Sequence, residues 1–306
     1  MFSAVAEPRL LRPQVHGAVV RIGCFSIAVH VASRERELID EITDLYGNYP
    51  RGALDDLPDF VIALKPSGLF RRQIQAYLNG YVRYQSAPAR LGLPMLESGL
   101  NWLVWTCTAR CLLLHAAVLE RQGLAIVMPG PSGVGKSTLC AALAGRGWRL
   151  LSDEVAMIRP RDGLLQPYPR PVSLKNESIE MIARMAPGAK FSRRFHGTIK
   201  GTVAFMAAPP EAIAQADVPA RPLLVIFPKY AAEAPVEIVP LEKARAFMRL
   251  VDHSSNYMTL LETGFESLAA LVEACDHYAL SYGDLDEAVA AIERLGPERR
   301  GMDQVA

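Results

Sequence analysis

The stretch GPSGVGKST, Gly130 to Thr138, decides how the chain is read. Gly130, Pro131, Ser132, Gly133, Val134, Gly135, Lys136 and Ser137 fill the pattern G-x-x-x-x-G-K-S of a Walker A loop, with Thr138 following. Glycines here let consecutive backbone N–H groups converge on a β-phosphate, and a helix starting near Lys136 adds its positive end. Lys136 is expected to reach the β- and γ-phosphates and Ser137 to offer its hydroxyl to Mg²⁺. Gly130 to Thr138 are thus the expected nucleotide contacts, with ATP and Mg²⁺ the expected cofactors. A plain glycine turn accounts for the glycines but not for the lysine.

The surroundings read as the strand, loop and helix that such a loop needs. LLLHAAVLE (112–120), the turn RQG and LAIVMPG (124–130) read as two paired strands, and LCAALAGRG (139–147) as a helix ending at Gly145 or Gly147. WRLLSDEVAMI (148–158) is expected to be the next strand. Its Asp153 and Glu154 resemble a Walker B element, whose Asp holds Mg²⁺ and whose Glu polarises water. In ABC-type and motor ATPases that element lies far downstream. Here a single helix separates it from Lys136.

The residues from His115 to Ile158 resemble the HPr kinase/phosphorylase family. That family has a histidine on the strand before the loop, a GxSGxGKS loop, a short helix, an RGxRL turn and paired acids. This chain has His115, Gly130 to Ser137, Arg146-Gly147-Trp148-Arg149-Leu150 and Asp153-Glu154. It looks specifically like the HPr kinase-related proteins of kinase A type, found beside peptide chaperones in bacterial biosynthetic clusters. The resemblance implies Asp153 as the base that takes the proton of an acceptor serine, Glu154 as a metal ligand with Ser137, and His115 beside the phosphate site. A lone strand histidine is also often only a hydrogen-bonded core residue. The second acid is usually Asp in the family, and no clear counterpart of its LEIRG segment is present. Phosphorylase activity and HPr as acceptor therefore stay open.

The rest of the sequence bounds these readings. The chain has 306 residues, half of them hydrophobic and 21% charged, enough for one large or two modest cores. Its net charge of +1 draws it to neither nucleic acid nor an anionic membrane. The apolar window SGLNWLVWTCTARCLLLHAAVL (98–119) carries Arg110 and His115 near its middle, so a core helix followed by a strand is expected rather than a membrane span. Five cysteines form no paired framework, which fits a reducing cytoplasm, and Cys107 with Cys111 supplies too few ligands for zinc.

The expected fold is α/β: a P-loop kinase core of HPr kinase type with a mixed sheet, residues 91–297, preceded by a small α+β accessory domain, 1–90, and followed by a flexible tail, 298–306. The accessory part opens with a strand or hairpin, GAVVRIGCFSIAVHVAS (17–33), then a helix capped by Ser33 and stopped by Pro50. Two basic stretches, YPRPVSLKNES (168–178) and KFSRRFHGTIKG (190–201), are candidate phosphate or acceptor contacts, with Arg193 or Arg194 as an arginine finger. LLVIFPKY (223–230) reads as a buried strand without chemistry. A long helix is expected over SNYMTLLETGFESLAALVEAC (255–275), with Glu266, Leu268, Leu271, Val272 and Cys275 packing. The last helix is capped by Asp284 or Asp286 and ends at Gly296.

The function expected first is a serine kinase acting on a peptide or small protein, encoded near a peptide chaperone; the resemblance also implies a homo-oligomer. A P-loop kinase for a small hydroxylated metabolite and an ATP-dependent switch without transfer are the alternatives.

Overall fold

The computed structural model describes residues 15–52, 57–68 and 72–296, and over them the protein is α/β with mixed sheets. The chain divides into two compact units, Met1–Val104 and Trp105–Ala306. The tail expected at 298–306 lies outside the described residues.

The first unit contains β1 (Val15–Ile22), β2 (Phe25–Ala32), α1 (Arg36–Tyr46), β3 (Phe60–Ser67), β4 (Gln73–Leu78), β5 (Tyr81–Val82) and β6 (Ala87–Pro88), and most of α2 (Gly92–Cys107). β1 and β2 form a hairpin, and β3 runs parallel to β2, with α1 in the crossover that a parallel pair requires. The helix expected from Ser33 begins later. Ser33 and Arg34 form the turn after β2, the Glu35 N–H bonds the Ala32 carbonyl, and Glu35 sits at the N-cap without a side-chain cap. α2 packs tightly on this sheet: a Cβ at Gly99 would stand 2.5 Å from Ile62 Cδ1 and 2.9 Å from Leu78 Cδ2. Buried Glu97 accepts the Tyr46 hydroxyl.

The second unit opens with the hairpin β7 (Leu112–Arg121) and β8 (Leu124–Pro129), then α3 (Lys136–Gly145), β9 (Arg149–Ser152), β10 (Val155–Ile158) and β11 (Leu165–Gln166). β12 (Val172–Lys175), α4 (Glu177–Met185), β13 (Phe195–Thr198), β14 (Gly201–Met206) and α5 (Pro210–Ala214) follow. The chain continues through β15 (Arg221–Tyr230), β16 (Glu237–Pro240), α6 (Lys243–Val251), α7 (Tyr257–Leu260), α8 (Glu262–Ala274), β17 (Asp276–Tyr282) and α9 (Leu285–Leu295). The main sheet has the order β11-β10-β7-β8-β15-β17-β16, with β9 also on β7, and β12-β14-β13 form a smaller sheet. β8, β15 and β17 are parallel, whereas β7, β10 and β16 pair antiparallel. The central parallel strands are covered on both faces, which explains the unbroken apolar runs AIVM in β8 and LLVIF in β15.

Three expectations change here. The strand expected over 148–158 is two strands, both on β7, interrupted at Asp153-Glu154; the Ser152 hydroxyl accepts the Val155 N–H at 3.1 Å and turns the chain. The long helix of 255–275 breaks at Leu261, which takes φ +52°. Leu268, Leu271 and Val272 of α8 and Cys275 just after it are buried as expected, but Glu266 is exposed and Ser267 is the buried polar residue on that helix. Asp284 caps α9, its Oδ1 accepting the Glu287 N–H at 2.9 Å. Among the described residues, no helix is long and apolar enough to cross a membrane.

Candidate active site

β8 delivers the glycine loop to the edge of the main sheet. Gly130, Gly133 and Gly135 take φ of +155°, +95° and +98°, values that L side chains rarely adopt. Gly135 is doubly constrained, because a Cβ there would lie 2.1 Å from the Tyr282 hydroxyl oxygen. α3 then begins at Lys136 with its first N–H groups facing the loop. The Lys136 side chain is buried, 5% exposed, and its Nζ donates to the carbonyls of Gly130 and Pro131, the latter at 2.8 Å. Burial is the main cause that pulls the ammonium down to about 8, and nearby Lys175 adds to it against the opposing charges of Glu154 and Asp153.

The acid pair occupies the break between β9 and β10. Glu154 Oε2 lies 3.0 Å from His115 Nε2 on β7. Burial pushes the Glu154 carboxyl up, but the His115 hydrogen bond and the charges of His115, Lys200 and Arg170 outweigh it and hold the carboxyl at about 2. Asp153 is 2% exposed, and its Oδ2 accepts the Ser173 N–H at 3.0 Å. His115 is held from behind: its N–H bonds the His253 carbonyl, and two residues upstream the Leu113 N–H bonds Asn256 Oδ1, at 2.8 and 2.9 Å.

A cavity of 470 Å³ joins these parts. His115, Glu154, Lys136, Ser137, Thr138, Ser132, Gly133 and Gly135 line it; Asp153 does not, although its partner Ser173 does. Gly130, Pro131 and Val134 belong to the loop but not to the lining, and the Gly130 carbonyl accepts from Lys136.

Of the basic residues singled out in the sequence, Lys175 on β12 donates to Ser132 Oγ at 2.9 Å and lines the cavity. Buried Arg170 stacks over the Tyr168 ring at 5.3 Å. Arg193 and Arg194 are engaged elsewhere, the first stacked on Phe195 at 4.3 Å and the second paired with Glu180. Of the 190–201 stretch it is Lys200, at the β13–β14 turn, whose charge Glu154 feels, together with that of Arg170.

A family model described as SynChlorMet cassette protein ScmC matches residues 92–175, the span that holds His115, the glycine loop and both acids. Two proteins named HPr kinase/phosphorylase, from Clostridium botulinum strains Eklund 17B and Alaska E43, are each 40% identical over 52 residues. That match spans 17% of this chain and 17% of the length of either relative. The link to kinases is distant and partial.

The site also contains residues that sequence reasoning missed. Tyr230 and Tyr282 line the cavity from the C-terminal ends of β15 and β17. Ser173 carries the backbone partner of Asp153. No local motif marks them; only the strand order brings them to the loop.

The residues fit Mg²⁺ better than a metal needing an all-protein cage. Among the described residues, no group of three or more His, Cys, Asp or Glu could hold a metal ion. One hydroxyl and one or two carboxylates, completed by phosphates and water, is how Mg²⁺ is usually held.

Proposed function

We propose that the second unit is a P-loop phosphotransferase of HPr kinase type, which moves the γ-phosphoryl group of ATP to a hydroxyl on a peptide or small protein. The observation that carries this reading is the single cavity into which the glycine loop, Lys136, Ser137 and the His115–Glu154 pair all open. The short kinase match supports it. Phosphoryl transfer asks the protein mainly for positioning and charge neutralisation, and this cavity offers both. The loop amides and Lys136 would hold the β- and γ-phosphates, with Lys136 leaving the carbonyls it now bonds for a stronger, charged partner. Lys175 and Lys200 add positive charge on the same side.

The two acids are assigned in the reverse of the order expected from the sequence. Glu154 faces the cavity, so it is the carboxylate able to accept the acceptor's hydroxyl proton, with His115 fixing its direction. Ser137 and Asp153 would hold Mg²⁺, which supplies neutralisation of phosphate charge when bound. Asp153 lies near α3: its charge, after burial, raises the thiol of Cys140, one helical turn beyond Ser137. Such a kinase works where ATP is, in the cytoplasm.

Transfer from γ-labelled ATP with Mg²⁺ tests the reading, using HPr and serine peptides encoded near the gene as acceptors. Label on a serine that is lost in Lys136→Ala supports the kinase; ATP binding without transfer to any acceptor sinks it. Glu154→Gln should keep Mg·ATP affinity and lose transfer, while Asp153→Asn should weaken the metal dependence of binding. The opposite pattern would restore Asp153 as base.

A further inference from the structure

The sheet order separates the cavity into two ends. His115 on β7 and Glu154 at the β9–β10 break lie on one side of β8, and Tyr230 on β15 and Tyr282 on β17 lie on the other. β8, β15 and β17 are parallel, so all three release their C-terminal residues at the same edge, where open α/β sheets bind ligands. The register pairs Tyr230 directly with Tyr282.

Both tyrosines are tied to the phosphate loop. The Tyr230 N–H donates to the Val134 carbonyl at 3.1 Å, and the Tyr282 hydroxyl reaches the Gly135 carbonyl at 3.4 Å. Tyr282 is 2% exposed and meets the Tyr230 ring edge to face, with centroids 5.6 Å apart. Tyr230 itself is 46% exposed. An aromatic ring whose backbone is anchored and which is braced by a second ring, yet which is left half open in a cavity, is a prepared stacking surface. Leu285 and Gly283 continue this end of the cavity.

We propose that Tyr230, braced by Tyr282, is the stacking platform for the nucleobase of the phosphoryl donor. This rests on the phosphotransferase reading and deepens it. A Walker A loop contacts phosphates and leaves the base to be held elsewhere. With the γ-phosphate directed towards Glu154 and His115, a nucleotide lying across the loop carries its base towards β15 and β17. The acceptor hydroxyl needs the acid end, so the aromatic end falls to the donor. A large flat purine matches the ring better than a pyrimidine does.

Calorimetric titration of the full chain with Mg·ATP and with Mg²⁺ and inorganic triphosphate tests this. Triphosphate shares the phosphate contacts and lacks the base. Tyr230→Ala should weaken ATP binding by roughly 5- to 150-fold, the range that base stacking supplies, and leave triphosphate binding within about twofold. Tyr230→Phe should restore ATP affinity, because the ring and not the hydroxyl does the stacking. Equal losses for both ligands would mean that the ring only shapes the loop, and unchanged ATP affinity would mean that no base rests there; either overturns the subsite while leaving the phosphotransferase standing. If the folded wild-type chain binds neither ligand, the phosphotransferase reading and the subsite fall together.

Discussion

Two pairs of a carboxylate with a basic side chain tie β7 to the chain beside it, and they differ in what they leave free. Glu120 and Arg149 are both buried, and every strong direction is taken: Arg149 also donates to the carbonyls of Gln215 and Val218 at 2.9 and 2.8 Å, and Glu120 accepts the Gly123 N–H. Glu154 and His115 are less buried, with side chains 19% and 30% exposed, and they line the cavity. Burial and charge are greater in the first pair, yet only the second can meet a ligand. Arg149 belongs to the RGxRL turn that carries part of the family resemblance, and here it is a strut between β9, β7 and the segment after α5.

The contrast breaks most sharply in transfer kinetics. Glu154→Gln should lower phosphoryl transfer by about 10²- to 10⁴-fold, the worth of a positioned base. Thermal unfolding should move less in that variant than in any variant of the buried pair. A Glu154→Gln protein that transfers normally would reduce the His115–Glu154 pair to a second strut.

The next effect is on stability alone. Arg149→Met leaves Glu120 buried without its cation and should destabilise the second unit by about 3–5 kcal/mol. The double substitution Glu120→Leu with Arg149→Met should recover much of that loss, because no charge is then stranded. Denaturant midpoints of the three proteins measure both. Equal losses in single and double variants would show that the bonds to Gln215 and Val218 dominate instead.

What the sequence revealed follows from how far apart the cooperating residues are. The glycine loop is contiguous, and its positive φ values are permitted by its own glycines, so its position between β8 and α3 could be read. The Asp284 cap was readable for the same reason. The break at Asp153-Glu154 was not, because RLLS and VAMI are apolar on both sides; the turn comes from the Ser152 hydroxyl and from pairing with β7. Leu261 at φ +52° gives no signal, since a bulky residue is the last expected there. Tyr230 and Tyr282 stand more than fifty residues apart and meet only through parallel pairing. Arg193 and Arg194 stand out as arginine-finger candidates because charge density is legible in a sequence, whereas the partners they take, Phe195 and Glu180, are not.

Lys136 sharpens the comparison from the cation's side, since its charge is buried against carbonyls rather than a carboxylate. Its ammonium is lowered to about 8 from 10.5. Below pH 8 both folded and unfolded chains carry the proton, and folding bears the cost of burying it. Between about pH 8 and 10.5 only the unfolded chain holds the proton, so stability rises with pH across that window. Lys136→Met should therefore abolish nucleotide binding, stabilise the protein at pH 7 by about 1–3 kcal/mol and flatten that rise. A Lys136→Met protein less stable than the wild type would mean that the bonds to Gly130 and Pro131 outweigh the buried charge.

The smallest effect belongs to Glu154 under acid, because its side chain is a fifth exposed and water weakens the attraction. Its carboxyl sits at about 2 in the folded protein, below the ordinary 4.5, despite burial, through the His115 bond and the charges of His115, Lys200 and Arg170. A depressed acid stabilises the fold above its unfolded value and loses that contribution as protons arrive. The loss should therefore fall between about pH 4.5 and pH 2, with full stability retained at neutral pH. Urea unfolding from pH 6 down to pH 2.5 should show a shallower decline in Glu154→Gln than in the wild type. His115→Phe should flatten the same limb, since it removes the partner that holds the carboxylate down. If Glu154→Gln and the wild type decline in parallel, the pair is not formed in solution, and Glu154 approaches the cavity without a fixed direction.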